Sequence, residues 1–204
     1  MPATHDIETI FLKLRKDYPR TSGRQAETLW KDIVADLVDL GGNAVQPLMA
    51  TLHDRDRSVR KASAQALGKI ADPRAVPALI STLEDRARSV RRAAVEALGN
   101  LSDLHDLQPL IQTLQDEDAQ VRSSAARALS KLGWQPADQT QQALFAVAMT
   151  DWEDVIALGK VALEPLKVAL QDEDRTIRME ARNALQTISH SHHSQRSEDG
   201  LQQC

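Results

Sequence analysis

Apolar positions in this chain follow a helical rhythm nested inside a longer repeat. Val76, Leu79, Ile80 and Leu83 fall at i, i+3, i+4 and i+7. After the polar break Glu84–Ser89, Val90, Ala94, Ala97, Leu98 and Leu101 take up the same spacing. A period near 3.6 residues puts each set on one face of a helix. The segment Ala75–His105 aligns without gaps with Ala44–Arg74 before it and Asp106–Pro136 after it, a period of 31 residues. A fourth copy begins at Ala162. Leu recurs at 48, 79, 110 and 166, again at 52, 83, 114 and 170, and closes each unit at 67, 98, 129 and 185. Pro47, Pro77, Pro109 and Pro165 fall in or beside the first turn of each unit's first helix, where a missing N–H costs little. Each unit therefore predicts two antiparallel helices joined by a tight turn. One such hairpin cannot bury its apolar stripe alone, so the units stack, which predicts an all-α, right-handed α-solenoid.

The motif AVPALISTLEDRARSVRRAAVEALGNL, at residues 75–101, resembles the HEAT-like repeat first described in phycobilisome lyases. The resemblance covers 44–136 and 162–188, and GWQPADQTQQALFAVAMTDWEDVIALGKVALEPL between them is similar to a linker helix pair of that family. It implies a solenoid of armadillo/HEAT type. Chromophore lyases, hydroxylases and adaptors all use such repeats, so the fold alone does not select an activity. The expected organisation is a helical N-terminal cap over 1–43, three repeats over 44–136, an inserted helix pair over 137–161, a fourth repeat over 162–188 and a disordered tail over 189–204.

Composition narrows the chemistry. A single Cys, at position 204, excludes a disulfide framework and a thiolate zinc site. No stretch approaches the ~18 apolar residues of a membrane span, and the N-terminus carries no secretory block, which predicts a cytoplasmic protein away from membranes. One relative of these repeats, deoxyhypusine hydroxylase, holds iron through repeated His-Glu pairs. Here no His precedes a Glu, and the His-Asp pairs at 5–6, 53–54 and 105–106 fall at unrelated offsets. No metal, cofactor or catalytic residue is expected, and the His-containing tail offers no fixed geometry.

Two polar sets stand out. Asp54, Asp85, Asp116 and Asp172 share one offset in the intra-unit turn, and Arg60, Arg91, Arg122 and Arg178 share another at the start of the second helix. Identity in every unit points to a structural ladder in which each Arg reaches the turn or Asp of a neighbour. The second set varies: Lys61, Gln65 and Lys69, then Arg92, Glu96 and Asn100, then Ser123, Arg127 and Lys131, finally Met179, Asn183 and Thr187. These lie opposite the apolar stripe on the second helices, expected to line the concave, partner-binding face.

Charge is uneven. Residues 44–105 hold 10 bases against 7 acids, whereas 137–204 hold 6 against 11. Arg55, Arg57, Arg86 and Arg88 make one end basic, a surface that would steer an acidic partner. Nucleic acid is not expected, because the chain carries a net charge of −4 and no aromatic lies within the basic repeats. Trp134 and Trp152 sit where the inserted pair breaks the rhythm; packing is their expected role, a flat surface for a tetrapyrrole the alternative. The function expected is a non-catalytic scaffold binding a protein partner. The alternative implied by the resemblance is a phycobilin lyase subunit handling a bilin or a phycobiliprotein.

Overall fold

The computed structural model describes residues 2–101 and 105–201, with side-chain surroundings over 6–101 and 105–190; Cys204 and the side chains of His192 and His193 lie outside these. The described elements are α-helical with short 3-10 turns. In order they are α1 (Pro2–Asp17), α2 (Gly23–Asp39), α3 (Val45–Thr51), α4 (Arg57–Ile70), α5 (Val76–Thr82), α6 (Arg88–Leu98), α7 (Gln108–Thr113), α8 (Ala119–Lys131), α9 (Gln139–Met149), α10 (Trp152–Leu158), α11 (Leu163–Ala169) and α12 (Arg175–Leu201). Two compact units divide the chain, Met1–Pro109 and Leu110–Cys204.

Local sequence accounts for the helix ends. An Asp side chain caps α4, α8, α9 and α10: Asp56 accepts from the Ser58 amide, Asp118 from Gln120 and Val121, Asp138 from Gln141, and Asp151 from Asp154. Each bond satisfies an amide the helix cannot. Asp72, followed by Pro73, starts the 3-10 turn that leads into α5 and accepts from the Arg74 amide at 2.9 Å. Gly159 closes α10 with φ 60° and ψ −124°, a conformation suited to glycine.

Within the first unit α2 packs on α4, α3 on α4, α4 on α6 and α5 on α6. The core contains the predicted stripe, with Leu48, Leu67, Leu79, Val90 and Leu98 fully buried, and adds Ile33, Leu37 and Val59. In the second unit α9 pairs with α10, α11 with α12, and α10 with α12. They enclose Ala143, Val147, Val155, Leu166, Ala181, Ala184 and Ile188. The helix expected to end near residue 188 continues to Leu201. Its polar extension has no Pro and a Gly only at position 200, so extending a helix already docked costs little per residue.

Candidate functional site

The invariant polar residues first close their own turns. Every repeated Asp closes its own turn, accepting the amide two residues on: Asp54 from Asp56, Asp85 from Ala87, Asp116 from Asp118 and Asp172 from Asp174, at 2.7–2.9 Å. The Arg six residues later folds back on the same turn. Arg60 Nη1 donates to the Asp54 and Arg55 carbonyls, Arg122 Nη1 to those of Asp116 and Glu117, Arg178 Nη1 to those of Asp172 and Glu173, and Arg91 Nη1 to the Asp85 carbonyl.

In Arg60 and Arg122 what remains of the guanidinium reaches another repeat. Arg60 grips Asp85 in a fork, Nε to Oδ2 at 2.6 Å and Nη2 to Oδ1 at 3.0 Å. Arg122 Nη2 meets Asp172 Oδ2 at 2.9 Å across the inserted hairpin. Arg15, on the N-terminal cap, binds Asp54 through a single, more exposed Nη2–Oδ2 contact, a rung that sequence spacing does not reveal. Burial pushes the Asp85 carboxyl up, but the Arg60 bonds and the Ala87 amide outweigh it, so its pKa lies below the usual value. Charge-assisted bonds of this kind lock register between hairpins.

The variable set lies on exposed or half-buried helix faces. In the first unit Lys61 and Gln65 are half-buried on α4, and Lys69 is exposed. Arg92 pairs with the exposed Glu96 on α6 at 3.5 Å, and Asn100 follows beyond that helix, also exposed. In the second unit Arg127 donates to the hydroxyls of Ser123 and Ser124 at 2.8 and 2.9 Å, and Lys131 is exposed. Met179, on α12, is half exposed at 50%.

The N-terminal cap adds two aromatic residues to the first group. Trp30 on α2 donates its indole N–H to Gln65 Oε1 at 2.7 Å. The Lys61 ammonium sits over the same indole, 4.2 Å from the ring centroid. Tyr18 packs obliquely on Trp30, centroids 5.2 Å apart. Burial, then the neighbouring Arg92 and Arg57 charges, push the Lys61 pKa down against the pull of Glu96. The basic repeats hold no aromatic of their own, yet folding supplies one from 31 residues upstream of Lys61. A sequence signal existed: of six aromatic residues in the chain, Tyr18 and Trp30 both fall in the cap.

Trp134 and Trp152 are packing residues. Trp134 lies 5.8 Å from Phe145, ring to ring. Trp152 bonds Glu180 Oε2 at 2.6 Å and packs against the second core. Among the described residues no His, Cys, Asp or Glu cluster could hold a metal ion, and no helix is long and apolar enough to cross a membrane.

The sequence matches the profile of HEAT repeats over residues 45–130 and 77–159. No curated protein matches it. Among solved structures it is similar to the complex of CpcE and CpcF of phycocyanin lyase from Nostoc sp. PCC7120, with 27% identity, a TM-score of 0.54, and 88% of this chain and 98% of that chain covered. Two engineered proteins, each 21% identical, align with TM-scores of 0.41 and 0.42, covering 90% and 91% of this chain and 98% and 97% of theirs.

Proposed function

The chain belongs to the HEAT-repeat family, and from that premise we propose that it is a non-catalytic binding module receiving a protein partner on the second-helix face of its first unit. The observation that carries this reading is the Trp30–Lys61–Gln65 arrangement beside Arg92 and Glu96. Trp and Arg dominate the energetics of protein interfaces, and here a half-buried cation and an amide are held in place by an indole before any partner arrives. The division of labour supports it as well. The Asp/Arg rungs keep one identity through the repeats, while positions 61, 65, 69, 92, 96 and 100 change residue type, as a reading surface on a fixed scaffold would.

A second reading keeps the surface but changes the cargo. The similarity to the CpcE–CpcF complex of phycocyanin lyase, over nearly all of that chain's length, supports a lyase-type subunit that handles a bilin or a phycobiliprotein together with a second chain. Arg57, Arg86 and Arg88 of the first unit would then meet propionate carboxylates.

Two measurements separate the readings. A pull-down with Lys61→Glu and Arg92→Glu combined should lose the partners that the unmodified chain retains; retention would show that the face is assigned wrongly. Absorbance after mixing the purified protein with phycocyanobilin should stay unchanged for a pure adaptor. A red-shifted band co-eluting with the protein would favour pigment handling.

A further inference from the structure

A cavity of about 430 Å³ opens in the first unit between the N-terminal cap and the first turns of α4 and α6. Tyr18 and Trp30 form one wall, and Arg57, Lys61, Arg86 and Arg88 supply the others. That volume falls within the range of small-molecule sites. No carboxylate contributes to the lining. Among the described residues no carboxylate lies within salt-bridge distance of Arg57, Lys61 or Arg86.

The repeat itself shows which residues are out of pattern. At the position of Arg86, the first repeat also has Arg55, but the third and fourth have Glu117 and Glu173. One residue later the other three repeats have Asp56, Asp118 and Asp174, while the second has Ala87, which lines the cavity. Asp56 and Asp118 cap their helices, and α6 has no capping side chain. An acid that would stabilise the second repeat is therefore missing where it would project into the cavity.

We propose that this cavity binds a small oxyanion carrying at least two negative charges, of phosphate or carboxylate type. Guanidinium groups donate to such oxygens in pairs, and the Arg57 charge beside the half-buried Lys61 ammonium, which Glu96 offsets only in part, favours an anion between them. Trp30 positions the Lys61 ammonium, through the ring beneath it and the indole bond to Gln65. The aromatic wall leaves room for an apolar body behind the charged groups. This goes beyond the scaffold reading, since a dissolved anion would bind whether or not a protein docks on the same unit.

Calorimetry on the full chain with pyrophosphate and with citrate, at about 0.15 M ionic strength where diffuse charge effects are screened, tests the idea. One-site binding of either probe is expected, and the stronger of the two names the anion type. Arg86→Gln should weaken it at least about tenfold, as loss of a charge-assisted contact would. Ala87→Asp is the sharper variant: it should raise the melting temperature of the ligand-free protein by restoring a cap, and abolish binding. Lys167→Gln, on α11, should bind like the unmodified chain. No binding of either probe at millimolar concentration would overturn the proposal, as would affinities that Arg86→Gln and Ala87→Asp leave unchanged. Short single-stranded DNA binding in place of both small anions, with the same sensitivity to Ala87→Asp, would overturn it in favour of a nucleic-acid surface.

Discussion

Arg122 and Asp172 stand 50 residues apart in the chain and meet at 2.9 Å with side chains only 1% and 3% exposed. The inserted α9–α10 hairpin separates them in sequence without parting them in space. The same guanidinium holds two carbonyls of its own turn, while its Nε has no partner among the described residues. Removing Arg122 leaves a buried carboxylate and two carbonyls without their donor. Arg122→Met should therefore cost about 3–5 kcal/mol in urea unfolding. The double variant with Asp172→Asn should cost less than the sum of the singles, because contacting charges couple. A single-variant loss below about 1 kcal/mol would show that this rung adds little.

Neighbouring arginines on α6 allow a more selective comparison. Arg91 is 7% exposed and donates to the Asp85 carbonyl, whereas Arg92 points along the helix surface toward Glu96. Arg91→Ala should lower stability by about 1.5–3 kcal/mol, as loss of a bond from a charged donor does. Arg92→Ala should stay within about 0.5 kcal/mol. Equal melting temperatures for the two variants would reject the ladder in this repeat.

A third prediction concerns helix spacing. Gly68 on α4 faces α6 so closely that a Cβ there would stand 2.5 Å from the Ala97 Cα and 2.6 Å from its Cβ. Real carbon atoms do not approach so near, and the obstacle is backbone rather than a movable side-chain tip. On propensity alone, Gly68→Ala should stabilise a helix interior by about 1 kcal/mol. The wedge between α4 and α6 reverses that sign, with an expected loss of about 1–3 kcal/mol. An unchanged or raised melting temperature would show that the two helices can separate without cost.

The fold was legible because a stacked architecture writes its core once per repeat: Leu48, Leu79, Leu110 and Leu166 are all fully buried, as their shared offset predicts. The same logic marked Arg60, Arg91, Arg122 and Arg178 as special; the first three are less than 10% exposed, while Arg178 is only half-buried. Contacts made by the cap were not legible. Arg15 reaches Asp54 and Trp30 reaches Gln65 over 39 and 35 residues of chain, with no second copy of α1 or α2 to establish a pattern. The cavity was half legible. Its arginines appeared as an excess of charge, but Ala87 stands out only once three other repeats show Asp in its place, and the aromatic wall comes from outside the repeats.

Acid should loosen the first unit through Asp85. Its pKa in the folded protein lies below the ordinary 3.8, held there by Arg60 against the opposing effect of burial. A carboxylate with a depressed folded value stabilises fully above its unfolded pKa and loses that contribution as pH falls through the folded one. Urea midpoints should accordingly be flat from about pH 7 to 5 and drop below about pH 4. Arg60→Met should flatten the acid limb, since Asp85 would then titrate nearly alike in both states. An equally steep limb in that variant would place the acid sensitivity elsewhere.

Lys61 titrates with the opposite consequence. Its pKa is lowered from 10.5, because the half-buried ammonium lies near Arg92 and Arg57, with Glu96 compensating only in part. The folded state thus releases this proton more readily than the unfolded state does. The charged form carries a penalty that is fully present below the folded pKa and fades as pH rises toward the unfolded one. Lys61→Met keeps the aliphatic stem over Trp30 and removes both the penalty and the cation–π attraction, which is worth about 0.5–1 kcal/mol at exposed sites. At neutral pH the variant should match or exceed the unmodified chain in stability. As pH rises toward the unfolded value of 10.5 the unmodified chain should gain on it, since the other lysines are common to both and cancel in the difference. A difference in urea midpoint that does not change with pH would mean that Lys61 is solvated normally and that Trp30 does not hold its charge.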